Sequence, residues 1–113
     1  MSGISTHILD TADGRPAAGV EVTLERGDGG GWQELRRAAT NDDGRVPMLL
    51  PAGASLTPGT YRLTFETGRW FERQGVDAFY PVVSVAFTVR DAGQHHHVPL
   101  LLAPFGYSTY RGS

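Results

Sequence analysis

Apolar and polar residues alternate with a period of two in three well-separated segments of this 113-residue chain. In residues 20–25, 61–66 and 83–89, valine, leucine, phenylalanine or tyrosine occupies every second position. A β-strand points successive side chains to opposite faces, so this period indicates strands with one buried face. Weaker strands are predicted at residues 4–10, 32–39, 46–48, 94–103 and 107–112. The sequence therefore predicts about eight strands.

Turn-forming residues separate these segments, because the 15 glycines and 7 prolines are spread along the whole chain. The glycine-rich stretch Gly27–Gly31 is predicted to be a hairpin loop. A single short helix is predicted where Trp70, Arg73 and Gln74 lie at helical spacing, with Gly75 ending it in a left-handed conformation. We therefore expect an all-β protein, with residues 1–113 forming one domain: an antiparallel β-sandwich of two sheets with one short helix.

The composition excludes several classes of chemistry. The chain has no cysteine, which excludes thiol nucleophiles and Cys-ligated metal clusters, and no lysine, which excludes Schiff-base catalysis. Ten basic residues against 12 acidic ones give a formal charge of −2, without the basic excess that nucleic acid or an anionic membrane would attract. Residues 1–10 lack the basic and apolar regions of a secretion signal. We expect a cytoplasmic protein.

Four histidines are the first candidates for chemistry, and three of them are consecutive. In an extended strand His95 and His97 share the outward face, whereas His96 lies on the face of the apolar residues Val98, Leu100 and Leu102. His7 shares its face with Ser5 and Leu9. Such histidines are often structural or simply solvated. Alternatively, His7, His95 and His97 resemble the ligand set of a three-histidine zinc centre.

Two further segments combine turn-forming and charged residues. Thr40–Arg45 has the Asn, Asp and Gly composition of a tight turn and delivers Arg45 to the strand that follows. Tyr110–Ser113 continues an alternating pattern to the last residue, where an aromatic ring, an arginine and the terminal carboxylate come together. Neither segment defines a function alone.

Together these segments resemble the 5-hydroxyisourate hydrolases, a transthyretin-related family. The segments that carry the resemblance span the chain: Ser5–Asp10, Gly14–Val20, Asn41–Arg45, Phe79–Pro81, His97–Leu102 and Tyr110–Ser113. The terminal Tyr-Arg-Gly-Ser is the most specific element, because transthyretins proper differ there. This chain departs from the family pattern at His96, where an aromatic residue is usual, and at Ala103, where serine is common.

The resemblance implies a transthyretin-like sandwich that assembles as a homotetramer, a dimer of dimers, with active sites in a channel where the dimers meet. It implies hydrolytic ring opening of 5-hydroxyisourate to 2-oxo-4-hydroxy-4-carboxy-5-ureidoimidazoline in urate breakdown, without a cofactor or a metal. The residues it implies in catalysis are His7, Arg45, His97, Tyr110 and Ser113. The same residues, together with Arg111 and Gly112, are implied to contact the substrate.

A reaction of this kind needs a base for water and a group that stabilises the developing oxyanion. A neutral imidazole suits the first task, so His7 or His97 is expected to be the general base. Arg45, permanently charged and fork-shaped, suits the second. Ser113 is not expected to be a covalent nucleophile, because no acidic residue or strand-turn-helix elbow surrounds it. Two alternatives remain: a non-catalytic small-molecule carrier on the same sandwich, and the zinc hydrolase.

Overall fold

A computed structural model describes residues 3–113 as two packed β-sheets and one short helix. In chain order the elements are β1 Gly3–Asp10, β2 Arg15–Pro16, β3 Glu21–Gly27, β4 Trp32–Ala39, β5 Arg45–Val46, β6 Gly59–Phe65, α1 Thr67–Arg73, β7 Val83–Val89, β8 His95–Ala103 and β9 Gly106–Thr109. The first sheet has the strand order β2-β1-β8-β9, with β5 also paired to β1, and the second has the order β4-β3-β6-β7. The predicted two-sheet sandwich with one short helix is confirmed.

The hydrophobic core lies between the two sheets and is built from the alternating positions. One contiguous cluster joins Ile4 and Leu100 of the first sheet to Leu24 and Phe65 of the second, and all four side chains are fully buried. Complete burial of a side chain of this size contributes about 1.5–3 kcal/mol to folding. The opposite, outward-facing positions of the first sheet are therefore free to carry polar residues.

The predicted helix and hairpin are both present. The helix packs Trp70 and Phe71 against the core, and Trp70 Nε1 donates a hydrogen bond to the Ala18 carbonyl at 2.7 Å. Its end is set by Gly75, which has a φ of +69° as expected. Residues 28–31 form the predicted loop between β3 and β4. This helix of seven residues, which is all the helix that residues 3–113 contain, is too short to span a membrane.

One strand pair differs from the antiparallel prediction. β1 and β8 run parallel over their length, from Gly3 opposite His95 to Asp10 opposite Leu102. Parallel pairing needs a long crossover, and the whole second sheet separates these two strands in sequence. The pair therefore brings the first strand of the chain beside a late one within the first sheet. Every other strand pair is antiparallel within the described part of the chain.

Strand boundaries near the end of the chain also differ from the prediction. β9 ends at Thr109, although an isolated bridge joins His97 to Gly112 in the same register. Pro99 lies in the gap and has no N–H to donate, so the ladder is interrupted there. Pro99 shares the outward face of β8 with His95 and His97, yet it is buried within this chain beside Gly112.

Candidate active site

Strand register brings the outward-facing candidate residues together on the first sheet. On β1, His7 lies directly opposite Arg45 of β5 on one side and Pro99 of β8 on the other. Ser5, two residues before His7, lies opposite His97. The predicted outward direction of His95 and His97 is confirmed, because His95 is exposed and His97 is half-buried, whereas His96 is buried.

A groove of about 420 Å³ lies over this part of the sheet. It is lined by Ser5, Thr6, Arg45, Pro47, His95, His97 and Ser113. Its volume is in the range typical of small-molecule sites. Grooves of about 480 and 640 Å³ lie near the helix, but neither is lined by a histidine. A further groove of about 630 Å³, lined by His95, Arg111 and Ser113 among others, adjoins it near the end of β8. The groove that brings together Arg45, His97 and Ser113 is the candidate active site.

The position of Arg45 is set by the turn that precedes it. The Asn41 side-chain oxygen accepts hydrogen bonds from the backbone N–H groups of Asp43 and Arg45, both at 3.0 Å. Gly44 has a φ of +75°, and an added Cβ would lie 2.5 Å from the Ile8 carbonyl oxygen. The turn thus docks closely on β1 and fixes the start of β5, where Arg45 lines the groove.

Ser5 links two histidines in the groove. Its Oγ lies 2.7 Å from His95 Nε2 and 2.8 Å from His97 Nδ1, and its side chain is nearly buried. Within residues 3–113, His97 Nε2 makes no protein hydrogen bond and is available to a ligand. The sequence interpretation gave Ser5 no role, although its position two residues before His7 placed it on the same face.

The electrostatic surroundings keep His97 neutral. Burial lowers the pKa of His97 below its ordinary value of 6.5, and the charge of Arg45 and the nearby His7 and His95 lower it further. A neutral imidazole is present at pH 7, and it accepts rather than donates a proton at its unprotonated nitrogen.

The C-terminal segment reaches the groove only in part. Ser113 lines it, and the backbone N–H of Gly112 donates to the His97 carbonyl at 2.8 Å. The His97 ring packs against Gly112, where an added Cβ would lie 2.6 Å from His97 Cδ2. Tyr110 and Arg111 do not line the groove. Arg111 instead donates to the Gln94 side-chain oxygen at 3.0 Å, and Tyr110 is 57% exposed.

Metal binding by His7, His95 and His97 finds no geometric support. Within residues 3–113, no three His, Asp or Glu side chains are grouped so that they could hold a metal ion. The nitrogens of His95 and His97 that approach each other are separated by the Ser5 hydroxyl, which bonds to both. The zinc alternative therefore lacks a preformed ligand set.

His96 is a buried histidine on the core face of β8. It is 4% exposed, and its Nδ1 lies 3.0 Å from the Gln94 carbonyl oxygen. Burial lowers the pKa of His96, and the positive charge of Arg111 lowers it further. Protonation of His96 thus opposes folding.

We expect the stability of the fold to fall in mild acid because of His96. Below about pH 6.5 the unfolded chain binds a proton that the folded chain resists, so the free energy of unfolding falls as the pH falls toward the folded-state pKa. Thermal melts between about pH 8 and 5 should show a smaller loss of Tm in His96→Phe than in the native chain. The lowered pKa of His97 also reduces stability in acid, but it does so in both the native chain and His96→Phe. Identical pH dependence would show that His96 is not responsible.

Comparison with known proteins agrees with this fold. The sequence pattern of the HIUase/Transthyretin family matches residues 4–112. A 5-hydroxyisourate hydrolase from Caulobacter vibrioides is 49% identical, with 100% of both chains covered. The structure of Klebsiella pneumoniae 5-hydroxyisourate hydrolase has 43% identity and a TM-score of 0.87, covering 100% of this chain and 94% of the other.

A second solved structure of the same fold is a transthyretin. Transthyretin from Sparus aurata has a TM-score of 0.90 at 29% identity, covering 99% of this chain and 97% of its own. The resemblance read from the sequence, including the transthyretin-like sandwich, is confirmed. The chain belongs to the HIUase/Transthyretin family.

Proposed function

We propose that this protein is a cyclic amide hydrolase that opens the six-membered ring of 5-hydroxyisourate to give 2-oxo-4-hydroxy-4-carboxy-5-ureidoimidazoline. The observation that carries the proposal is the convergence of Arg45, His97 and Ser113 on one groove in a chain nearly half identical to a 5-hydroxyisourate hydrolase. The reaction belongs to urate breakdown, and the cytoplasm is the compartment we propose for it.

The mechanism needs one proton acceptor and one positive charge. His97 is the better candidate for the base, because its free Nε2 and lowered pKa leave an unprotonated nitrogen at the groove. Water attacks the ring carbonyl as His97 takes its proton, and Arg45 stabilises the oxyanion. The C–N bond then breaks, and the proton returns from the imidazolium to the leaving nitrogen. His7, directly opposite Arg45, is proposed to hold the substrate or to share the proton transfer.

We further propose that the terminal residues complete the substrate pocket in an assembly. Ser113 lies at the groove in this chain, and Gly112 supports the His97 ring. Tyr110 and Arg111 are proposed to contact substrate once subunits pack together in a homotetramer, a dimer of dimers. Large exposed aromatic side chains support such packing, since Phe79 is 68% and Phe105 is 70% exposed.

Carrier function is the second candidate, because transthyretin from Sparus aurata has the same fold. A carrier needs a complementary cavity but no base aimed at a bound molecule. The juxtaposition of a neutral His97 with Arg45 therefore favours the hydrolase.

A direct assay separates these functions. Freshly generated 5-hydroxyisourate should disappear faster in the presence of the protein than in buffer, as followed by its ultraviolet absorbance. The rate should be unchanged by EDTA, since the proposed base is an imidazole. An unaltered decay rate would contradict the hydrolase, and loss of activity on chelation with recovery on adding zinc would favour the zinc alternative.

A further inference from the structure

The Ser5 hydroxyl contacts two histidine rings and cannot interact with both in the same way. A serine hydroxyl has a single proton, so it can donate to only one of two ring nitrogens. Ser5 Oγ is within hydrogen-bond distance of both His95 Nε2 and His97 Nδ1. If both bonds are made, one ring accepts the serine proton and the other ring donates to the serine oxygen. The protonation patterns of the two rings are thereby linked.

The geometry of the groove favours one of the two arrangements. His97 presents Nδ1 to Ser5 and leaves Nε2 free, so a base at Nε2 requires the ring proton to be on Nδ1. His97 Nδ1–H then donates to Ser5 Oγ, and Ser5 donates to His95 Nε2. His95 is exposed, so its remaining Nδ1–H can be satisfied by solvent.

We propose that Ser5 is a positioning residue that holds His97 in the Nδ1–H tautomer, with His95 as the acceptor of the serine proton. The proposal rests on the proposed function, in which His97 Nε2 takes a proton from water. When His97 becomes an imidazolium, its Nδ1–H keeps the same acceptor, so the bond also stabilises the charged intermediate. Parallel pairing of β1 and β8 makes this possible, because it sets Ser5 directly opposite His97.

Closely packed neighbours lie against Ser5 and the His97 ring. Ser5 and its neighbour Thr6 are both buried, and Thr6 Oγ1 donates to the Val98 carbonyl at 2.6 Å. On the other side of the His97 ring, Gly112 leaves no space for the ring to move away. Ser5 therefore needs no rearrangement to act on His97.

The tautomer of His97 can be read without substrate, from long-range ¹H–¹⁵N correlations of the imidazole rings at neutral pH. We expect the Nδ1–H form in the native chain and in Ser5→Thr, which keeps a hydroxyl. In Ser5→Ala the Nδ1 bond is lost, and in His95→Ala the serine proton is free to turn toward His97. Both variants should shift His97 toward the Nε2–H form.

Activity gives the second measurement. Loss of a partner that orients a functional histidine typically costs about 10- to 100-fold, so kcat should fall by about that factor in Ser5→Ala and recover in Ser5→Thr, with little change in KM. Ser84→Ala is the matched control, because within residues 3–113 the hydrogen-bond partner of Ser84 Oγ is Thr64 Oγ1, on the second sheet.

Several results would overturn the assignment. An Nε2–H tautomer in the native chain, or an unchanged tautomer and a kcat within about threefold in Ser5→Ala, would show that Ser5 does not position His97. If the native protein did not hydrolyse 5-hydroxyisourate, the proposed function would fail. The ring spectra would still decide whether Ser5 sets the tautomer, so the two failures are distinguishable.

Discussion

His97→Gln should lower kcat for 5-hydroxyisourate by about 10²- to 10⁴-fold, the usual cost of removing a positioned acid-base group. Glutamine keeps a polar side chain of similar size beside Ser5 but cannot take a proton from water. The fold should survive, because His97 lies on the outward face of β8 and outside the core cluster. Steady-state rates, with circular dichroism to confirm folding, measure the effect.

His7 and Arg45 are expected to give losses in the same range. Their strands set them directly opposite each other, so either substitution removes a partner on the face that holds His97. Arg45→Lys tests the fork-shaped guanidinium, and it should recover only part of the activity lost in Arg45→Met because ammonium lacks the paired donors. Arg36→Met is the matched control, since Arg36 is exposed on β4 in the other sheet. Turnover within about threefold of native in any one site variant would remove that residue from the mechanism.

The local features of the fold could be predicted from the sequence because they depend on neighbouring residues. Alternation located β7 at Val83–Val89, and a weaker strand was predicted at Trp32–Ala39; the structure has strands with both sets of bounds. Gly75 was predicted to end the helix because glycine adopts positive φ without steric cost, and its φ is +69°. The buried side of β8 followed from the same alternation, and His96 is buried with Val98.

Contacts between distant strands could not be predicted in this way. Alternation shows which face a residue occupies but not which strand lies beside it, so the parallel pairing of β1 with β8 was missed. The Ser5 bridge depends on that pairing, because a shift of one residue would turn Ser5 away from His97. Arg111 illustrates the same limit, since its bond to Gln94 depends on where the terminal segment folds back along β8.

The positions of the candidate site residues fall between these two cases. Turn composition predicted that Arg45 would begin a strand, and Arg45 is the first residue of β5. The pairing of β5 with β1, which puts Arg45 opposite His7, depends on residues far apart in sequence. The roles of Arg45 and His7 rest on the family resemblance. The lowered pKa of His97 arises mainly from burial, and then from Arg45 and His7 on other strands and from His95 on the same strand. Of these causes only His95 is a neighbour in sequence.

Removal of residues 110–113 should leave a folded protein with almost no hydrolase activity. No side chain in this segment belongs to the hydrophobic core. The segment is joined to β8 by the bridge between Gly112 and His97, and to β8 and the residue before it by the exposed Arg111 bonds to the His95 carbonyl and the Gln94 side chain. Its loss removes Ser113 from the groove and uncovers the His97 ring. Without Ser113 in the groove and Gly112 against the His97 ring, kcat should fall by at least about 10²-fold, as for loss of the base itself. An active truncated chain would remove the terminal segment from the site.

A single substitution tests the close contact within that segment. Gly112→Ala places a Cβ 2.6 Å from His97 Cδ2 and 3.2 Å from Pro99 Cγ, so the contact between the His97 ring and residue 112 cannot be kept as it is. We expect most of the activity loss of the truncation with a nearly unchanged Tm. Gly30→Ala is the matched control, because Gly30 lies in the loop after β3 with no atom within 4 Å of the added Cβ. Equal activity in the two variants would show that the His97 ring does not depend on Gly112.

Assembly is the remaining part of the same prediction, because Tyr110 and Arg111 do not reach the groove of their own chain. Arg111 lines an adjoining groove with His95 and Ser113. We expect both residues to reach the substrate where subunits meet, so the native protein should be a tetramer whenever it is active. Light scattering at assay concentration should report about four times the 12.2 kDa chain mass. Tyr110→Ala should lower activity in the tetramer through lost substrate contact. A fully active monomer would show that one chain contains the complete site, and Tyr110 and Arg111 would then have no catalytic role.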